Sequence, residues 1–209
     1  MRDKDLRGLL YSLQQNGISD PHVLDAVART PREEFISDQA LKANAYVDEA
    51  LPIECEQTIS QPYIVAYMTE RLHVSPLNDV LEIGTGSGYQ AAILSRLARH
   101  VYTIETHFEL HRIATERFQL LGLENITPIH GDGTKGWPVF RLFDRIIVTA
   151  CAEEVPEDLI DQLAPGGFMV IPLGPSEGQR ITLITRIDGR IEPQSLLPVR
   201  FVPLMAAHD

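Results

Sequence analysis

The chain predicts an α/β fold: a doubly wound, mostly parallel sheet, preceded by N-terminal helices and finished by an antiparallel C-terminal strand pair. Three observations carry this. From residue 79 onward, short apolar runs alternate with stretches of helical period, the pattern of strands joined by covering helices. The first run, "DVLEI", leads directly into "GTGSGYQ", where Gly84, Gly86 and Gly88 crowd a strand-to-helix turn of the kind at which a ligand approaches the backbone. Near the end, "RITLITRIDGRIEPQSLLPVRFVPL" alternates on either side of Asp188-Gly189, a hairpin turn pair.

The elements follow in order. Leu6, Leu9, Leu10 and Leu13 recur at helical spacing until Asn16-Gly17 stops them. "SDPHVLDAVARTP" repeats the logic, with Ser19 or Asp20 as the cap, Pro21 in the first turn and Pro31 as the stop. The strand Asp79 to Ile83 is then followed by a helix from near Tyr89 through Ala91 to Ala98, the strand "HVYTIE", a helix through "FELHRIATERFQLLG", and the strand "ITPIH". "FDRIIVTA" and "GGFMVIPL" read as further strands, separated by a helix in "PEDLIDQLAPGG". No internal repeat or long linker interrupts the pattern.

Composition narrows the function classes. With 209 residues, 44% of them hydrophobic, the expectation is one domain spanning 1–209, in which 1–78 form a helical N-terminal cap over substrate and cofactor and 79–209 the nucleotide-binding sheet core. Lysine and arginine number 18 against 29 acidic residues, a formal charge of -11 without any basic tract, which argues against nucleic acid. No apolar run approaches the ~20 residues of a membrane span, so the expected location is the cytoplasm and no membrane partner is expected. Cys55 and Cys151 lack CxxC spacing, so neither a disulfide nor a zinc site is expected. The sequence leaves the oligomeric state open, with a monomer slightly favoured.

The glycine loop sits where doubly wound folds bind nucleotides, and Gly84-Thr85-Gly86-Ser87-Gly88 follows GxGxG, whereas the dinucleotide fingerprint GxGxxG would place glycine where Tyr89 stands. Glu105 ends the next strand, in register to accept hydrogen bonds from ribose hydroxyls. Asp132, between the glycines of "GDG", can receive an adenine amino group or close an Asx-type turn. Together these suit S-adenosylmethionine better than NAD, because no pyrophosphate has to be cradled.

Several further stretches, "QTISQP" (Gln57 to Pro62), "VLEIGTGSGYQ", "GDGTKGW", "DLIDQLAPGG" and the terminal "RFVPL", make the chain resemble the protein-L-isoaspartate O-methyltransferase family over nearly its whole length. The resemblance implies a Rossmann-like S-adenosylmethionine-dependent methyltransferase fold and S-adenosyl-L-methionine as cofactor, with no metal. It also implies methyl transfer to the free carboxylate of L-isoaspartyl residues in damaged proteins and peptides, which would be the partners. By position it assigns cofactor contacts to Gly84, Thr85, Gly86, Ser87 and Gly88, the ribose to Glu105, and the adenine side to Asp132 and Gly133. Gln57, Thr58, Ile59 and Ser60 would border both cofactor and substrate, with Ser60 as the catalytic residue that orients the acceptor. Such a reaction needs no general base, since a carboxylate with pKa near 4 is already ionised at pH 7.

Other readings stand beside these. Ser60, ahead of Gln61-Pro62, also suits the N-cap of the helix "YIVAYMTERL". Where the family carries a glycine-containing run, this chain has Glu54-Cys55-Glu56, two carboxylates beside a carboxylate site, and "TACAEEVP" and Thr106 also depart from the family pattern. The alternatives are an S-adenosylmethionine-binding protein of the same fold without turnover and an NAD-dependent oxidoreductase. His107 and His111 stand four apart without HExxH order, so they read as a solvated helix face. Trp137, Tyr63 and Tyr89 read as packing residues near the loop.

Overall fold

A computed structural model of the chain describes residues 2–206. The expected domain and C-terminal segment extend to residues 1 and 207–209, which lie outside the described residues. The strands in chain order are β1 (Leu51–Pro52), β2 (Thr58–Ile59), β3 (Asp79–Ile83), β4 (His100–Glu105), β5 (Ile126–His130), β6 (Phe143–Val148), β7 (Leu163–Leu173), β8 (Arg180–Ile187) and β9 (Arg190–Pro198). The helices are α1 (Arg2–Gln15), α2 (Pro21–Arg29), α3 (Pro62–Leu72), α4 (Tyr89–Ser95), α5 (Phe108–Leu120) and α6 (Glu157–Asp161).

β3 to β9 form a seven-stranded sheet in the order β5-β4-β3-β6-β7-β8-β9. Its β3–β7 part is parallel, and β8 and β9 add to its edge antiparallel. Helices cover both faces, which explains why all five residues of β3 are buried and why its sequence reads as an apolar run rather than an alternation. Val80, Ile147, Val170 and Ile181 pack toward α1–α5, and Leu81, Ile83, Ile146 and Met169 toward α6. The first apolar cluster joins Leu9, Val27 and Met68 of the N-terminal segment to Ile93 and Val101 of the sheet region without a break. β3 is flanked by β4 and β6, and the chain runs out through β5 before crossing back to β6. A crevice opens beyond the carboxyl ends of strands at such a reversal.

Local chemistry sets the helix ends. Gly17 takes φ 95° after α1, and Asp20, rather than Ser19, caps α2 by accepting from His22 N at 2.8 Å. The amides of Ser19 and Asp20 both donate to Glu70 of α3, at 2.7 and 2.8 Å, tying the start of α2 to α3.

Three expectations need correction. The N-terminal 78 residues are not helical throughout, because β1 and β2 pair as a small hairpin between two 3-10 turns and α3. The helix of "PEDLIDQLAPGG" stops at Asp161, since Leu163 already pairs with Phe143 and Pro165 cannot continue a helix. α4 likewise ends at Ser95 instead of Ala98.

A fully buried carboxyl interrupts the sheet core. Glu82, on β3, is completely buried, and the hydroxyl of Thr103 donates to its Oε2, while among the described residues Oε1 has no partner. Burial pushes its pKa up from 4.5 to about 8, against the lowering pull of Thr103 and with a further push from the charge of Glu105. Its contribution to stability is therefore fully present below the unfolded value and is lost as pH rises through about 8. Urea unfolding of the wild type and Glu82→Gln between pH 5 and 9 checks this. The wild type loses stability with rising pH relative to the variant, and parallel pH profiles would show the carboxyl to be charged in the fold.

Candidate functional site

The loop after β3 holds three glycines with positive φ: Gly84 at 93°, Gly86 at 53° and Gly88 at 90°. They serve different purposes. A Cβ on Gly84 would lie 2.4 Å from Thr149 Oγ1, and one on Gly88 would lie 2.8 Å from the ring of Phe118, so these two make room for protein. Gly86 meets only Ile53 Cδ1, at 3.9 Å, and is the glycine that leaves the backbone open.

Glu105, at the end of β4, fixes that open segment. Its Oε2 accepts from Gly86 N at 2.7 Å and its Oε1 from His107 N at 2.9 Å, so one side chain couples the loop to the start of α5. A carboxylate has about four acceptor positions, and two remain for a ligand. From the far side Arg117 of α5 donates to Ser87 O at 2.9 Å and to Ser37 Oγ at 2.8 Å, holding the outer limb.

A cavity lies against this loop. Its walls include Gly84, Thr85, Gly86, Ser87 and Glu105, and also Gln57, Thr58, Ile59, Ser60 and Gly133. The structure thus brings together ten of the twelve residues singled out in the sequence. Gly88 and Asp132 are outside the lining. Gly88 faces Phe118, and Asp132 spends Oδ1 on Thr134 N (2.9 Å) and Thr134 Oγ1 (2.6 Å), closing the turn that places Gly133 against Ile83.

Residues 57–60 arrive on the β1–β2 hairpin, with Leu51 opposite Ile59 and Pro52 opposite Thr58. Its turn joins Glu54 to Gln57 through a 3.2 Å bond from Gln57 N to Glu54 O, with Cys55 and Glu56 both left-handed at φ 55° and 57°. This type I′ geometry usually recruits Asn-Gly or Gly-Gly. Neither Glu54 nor Glu56 lines this cavity: Glu56 is exposed, and Glu54 is half-buried within the electrostatic reach of Arg117.

Ser60 is not the helix cap. Gln61 occupies the cap position of α3 without a side-chain bond, and Asp48 instead accepts from Tyr63 N at 2.7 Å. Among the described residues no hydrogen bond engages Ser60 Oγ. Ser60 lines the loop cavity and also a second one beside it, and the walls shared by the two include Thr58, Ile64, Thr149, Phe201 and Val202. The C-terminal segment is pinned there by Cys151 N to Val202 O at 2.8 Å and Leu204 N to Cys151 O at 2.7 Å.

Thr149 and residues 201–205 were missed as site residues; only their position after a strand at the reversal of sheet order could have signalled Thr149. Tyr89 also lines the loop cavity, with Arg32 over its ring at 5.0 Å and burial pushing its phenol up to about 12. Trp137 packs edge-on to Tyr102 at 5.0 Å, and Tyr63 pairs with Tyr67, both outside the cavity walls. His107 lines the loop cavity, and among the described residues no group of three or more His, Cys, Asp or Glu side chains is placed to hold a metal ion.

The profile of the family Protein-L-isoaspartate(D-aspartate) O-methyltransferase (PCMT) matches residues 4–209. A protein-L-isoaspartate O-methyltransferase of Parvibaculum lavamentivorans is 54% identical over 200 residues, covering 94% of this chain and 90% of that protein. A solved protein-L-isoaspartate O-methyltransferase superposes with a TM-score of 0.88 at 32% identity, covering 97% of this chain, which spans 66% of the length of that one. The Plasmodium falciparum structure named beta-aspartate methyltransferase (PCMT), in complex with S-adenosyl-L-homocysteine, gives 0.84 at 28% identity, covering 95% of this chain and 97% of that one.

The hairpin turn supplies a test of its own. A left-handed non-glycine residue costs about 1 kcal/mol, and among the described residues no side-chain hydrogen bond or ion pair of the exposed Glu56 offsets it. Glu56→Gly should therefore raise the unfolding free energy by about 0.5–1 kcal/mol in urea titration. An unchanged or lower value would show that the turn is not strained.

Proposed function

The chain belongs to the protein-L-isoaspartate(D-aspartate) O-methyltransferase family, and from that premise we propose that it methylates the free carboxylate of L-isoaspartyl residues in proteins and peptides, with S-adenosyl-L-methionine as methyl donor. The observation that carries this reading is the pair of cavities sharing a wall at Thr58, Ser60 and Thr149, one against the glycine loop and one beside it. A donor and an acceptor bound separately but touching is what group transfer between two molecules needs.

The donor-side residues fit a nucleoside. Glu105 would hold the ribose, Gly133, placed by the Asp132 turn, would border the adenine, and the loop from Gly84 to Ser87 would take the remainder against Gly86, the position without an obstructing side chain. When bound, the donor supplies a methyl group on a sulfonium, which is electrophilic without further activation. The work left to the chain is binding, orientation and exclusion of water. Ser60 would donate from its unengaged hydroxyl to the acceptor carboxylate and hold one oxygen in line, and the C-terminal segment, pinned at Cys151, would wall the junction from solvent. No general base is required, because the acceptor is ionised at neutral pH. Attack by the neighbouring amide nitrogen on the ester then expels methanol and leaves a succinimide, whose hydrolysis returns part of the material to normal aspartyl linkage. The substrates are accordingly isoaspartyl proteins and peptides. Among the described residues no helix is long and apolar enough to cross a membrane.

Incubation with methyl-labelled S-adenosylmethionine and an isoaspartyl peptide, beside its aspartyl twin, tests the proposal. Base-labile label should appear on the isoaspartyl peptide alone; donor binding without label on either peptide would overturn it. Ser60→Ala should lower the transfer rate at least tenfold while donor affinity stays within about twofold, and an unchanged rate would remove Ser60 from the reaction.

A further inference from the structure

We propose that Thr149 is a positioning residue of the transfer centre, its hydroxyl carrying the β3–β6 pairing one step past the strand ends to clamp the carbonyl of Gly84 where the two cavities meet. Thr149 N donates to Ile83 O at 2.9 Å, continuing the parallel pairing of Ile83 with Val148. Beyond that point, among the described residues, no main-chain amide donates to Gly84 O, and the side chain takes over. Thr149 Oγ1 lies 3.0 Å from Ile83 O and 2.6 Å from Gly84 O. A hydroxyl has a single proton to donate, and the shorter contact assigns it to Gly84 O.

Glycine and hydroxyl require each other. A Cβ on residue 84 would come within 2.4 Å of Thr149 Oγ1, so the clamp exists only because position 84 is bare, and the φ of 93° at Gly84 turns its carbonyl toward the hydroxyl. The loop is thereby held from both neighbouring strands. On the β4 side, Ile104 O accepts from Gly84 N at 2.9 Å and Thr85 N at 3.3 Å, and Glu105 accepts from Gly86 N. On the β6 side, among the described residues, the fastening beyond the strand end is Thr149 alone. Because Thr149 also lines both cavities, loss of the clamp is felt at the junction itself.

The names donor and acceptor rest on the function proposed above, whereas the clamp can be read without turnover. Thr149→Val keeps the shape and removes the hydroxyl; Thr149→Ser keeps the hydroxyl and removes the methyl. Calorimetric titration with S-adenosylhomocysteine should show Thr149→Val weakened about tenfold or more and Thr149→Ser within about twofold of wild type. In methyl transfer, kcat should fall in the valine variant and recover in the serine variant, with the peptide KM nearly constant. Amide exchange at Thr85 and Gly86 in the unliganded protein, read by NMR, should be faster in Thr149→Val than in Thr149→Ser. If Thr149→Val does not fold, Thr149→Ala takes its place with the same expectations. Failure of S-adenosylhomocysteine to bind the wild type would sink the proposed function but leave the exchange comparison to judge the clamp. Equal exchange and binding in the valine and wild-type proteins, or a serine variant as impaired as the valine one, would overturn it and reduce Thr149 to a packing residue.

Discussion

The carboxylate of Glu105, accepting from Gly86 N on one oxygen and His107 N on the other, is the contact on which the arrangement of the site depends. It joins the loop after β3 to the start of α5 and leaves acceptor capacity toward the cavity. Everything around it serves to keep that pair of amides in place. Arg117 grips the outer limb at Ser87, Phe118 fills the space that Gly88 leaves bare, and Ile104 O takes the amides of Gly84 and Thr85. The loop is therefore a fitted part of the sheet edge rather than a pliable strap, and its glycines record where neighbours come close more than where a ligand does.

The same economy governs the acceptor side. The hairpin carrying Gln57 to Ser60 is only two pairs long, so its placement comes from what it packs against, namely α3 and the C-terminal segment hydrogen-bonded to Cys151. Ser60 is left unengaged because Asp48, fifteen residues upstream of Tyr63, supplies the cap that Ser60 would otherwise provide. A hydroxyl bound to a helix terminus could orient nothing. Freed from it, and set in a wall shared by two cavities, the hydroxyl is available to a substrate.

The sheet was legible in the sequence because its signals are local: apolar runs of strand length, helical periods between them, and turn residues such as Gly17 and Asp188-Gly189. The loop side of the cavity was legible for a related reason, since a glycine-rich strand-to-helix turn and an acidic residue at the end of the next strand are both local signals. What remained hidden depends on tertiary geometry. The β1–β2 hairpin is too short for periodicity to detect, and its turn uses Cys55 and Glu56 where glycine or asparagine would have announced it. α6 ended early because β7 claimed Leu163 by pairing with Phe143, a choice made by the sheet and not by propensity. Gly88 read as a ligand contact although its neighbour is Phe118, and Thr149 read as nothing more than a strand end, since the carbonyl it holds is sixty-five residues away in sequence.

A structure determined with S-adenosylhomocysteine and an isoaspartyl peptide bound together tests the central claim most directly. The account predicts ribose hydroxyls against Glu105, the sulfur directed at the wall formed by Ser60 and Thr149, and the isoaspartyl carboxylate entering from the second cavity to meet it. A nucleoside bound away from Glu105, or a peptide carboxylate outside that second cavity and out of reach of Ser60, would contradict it.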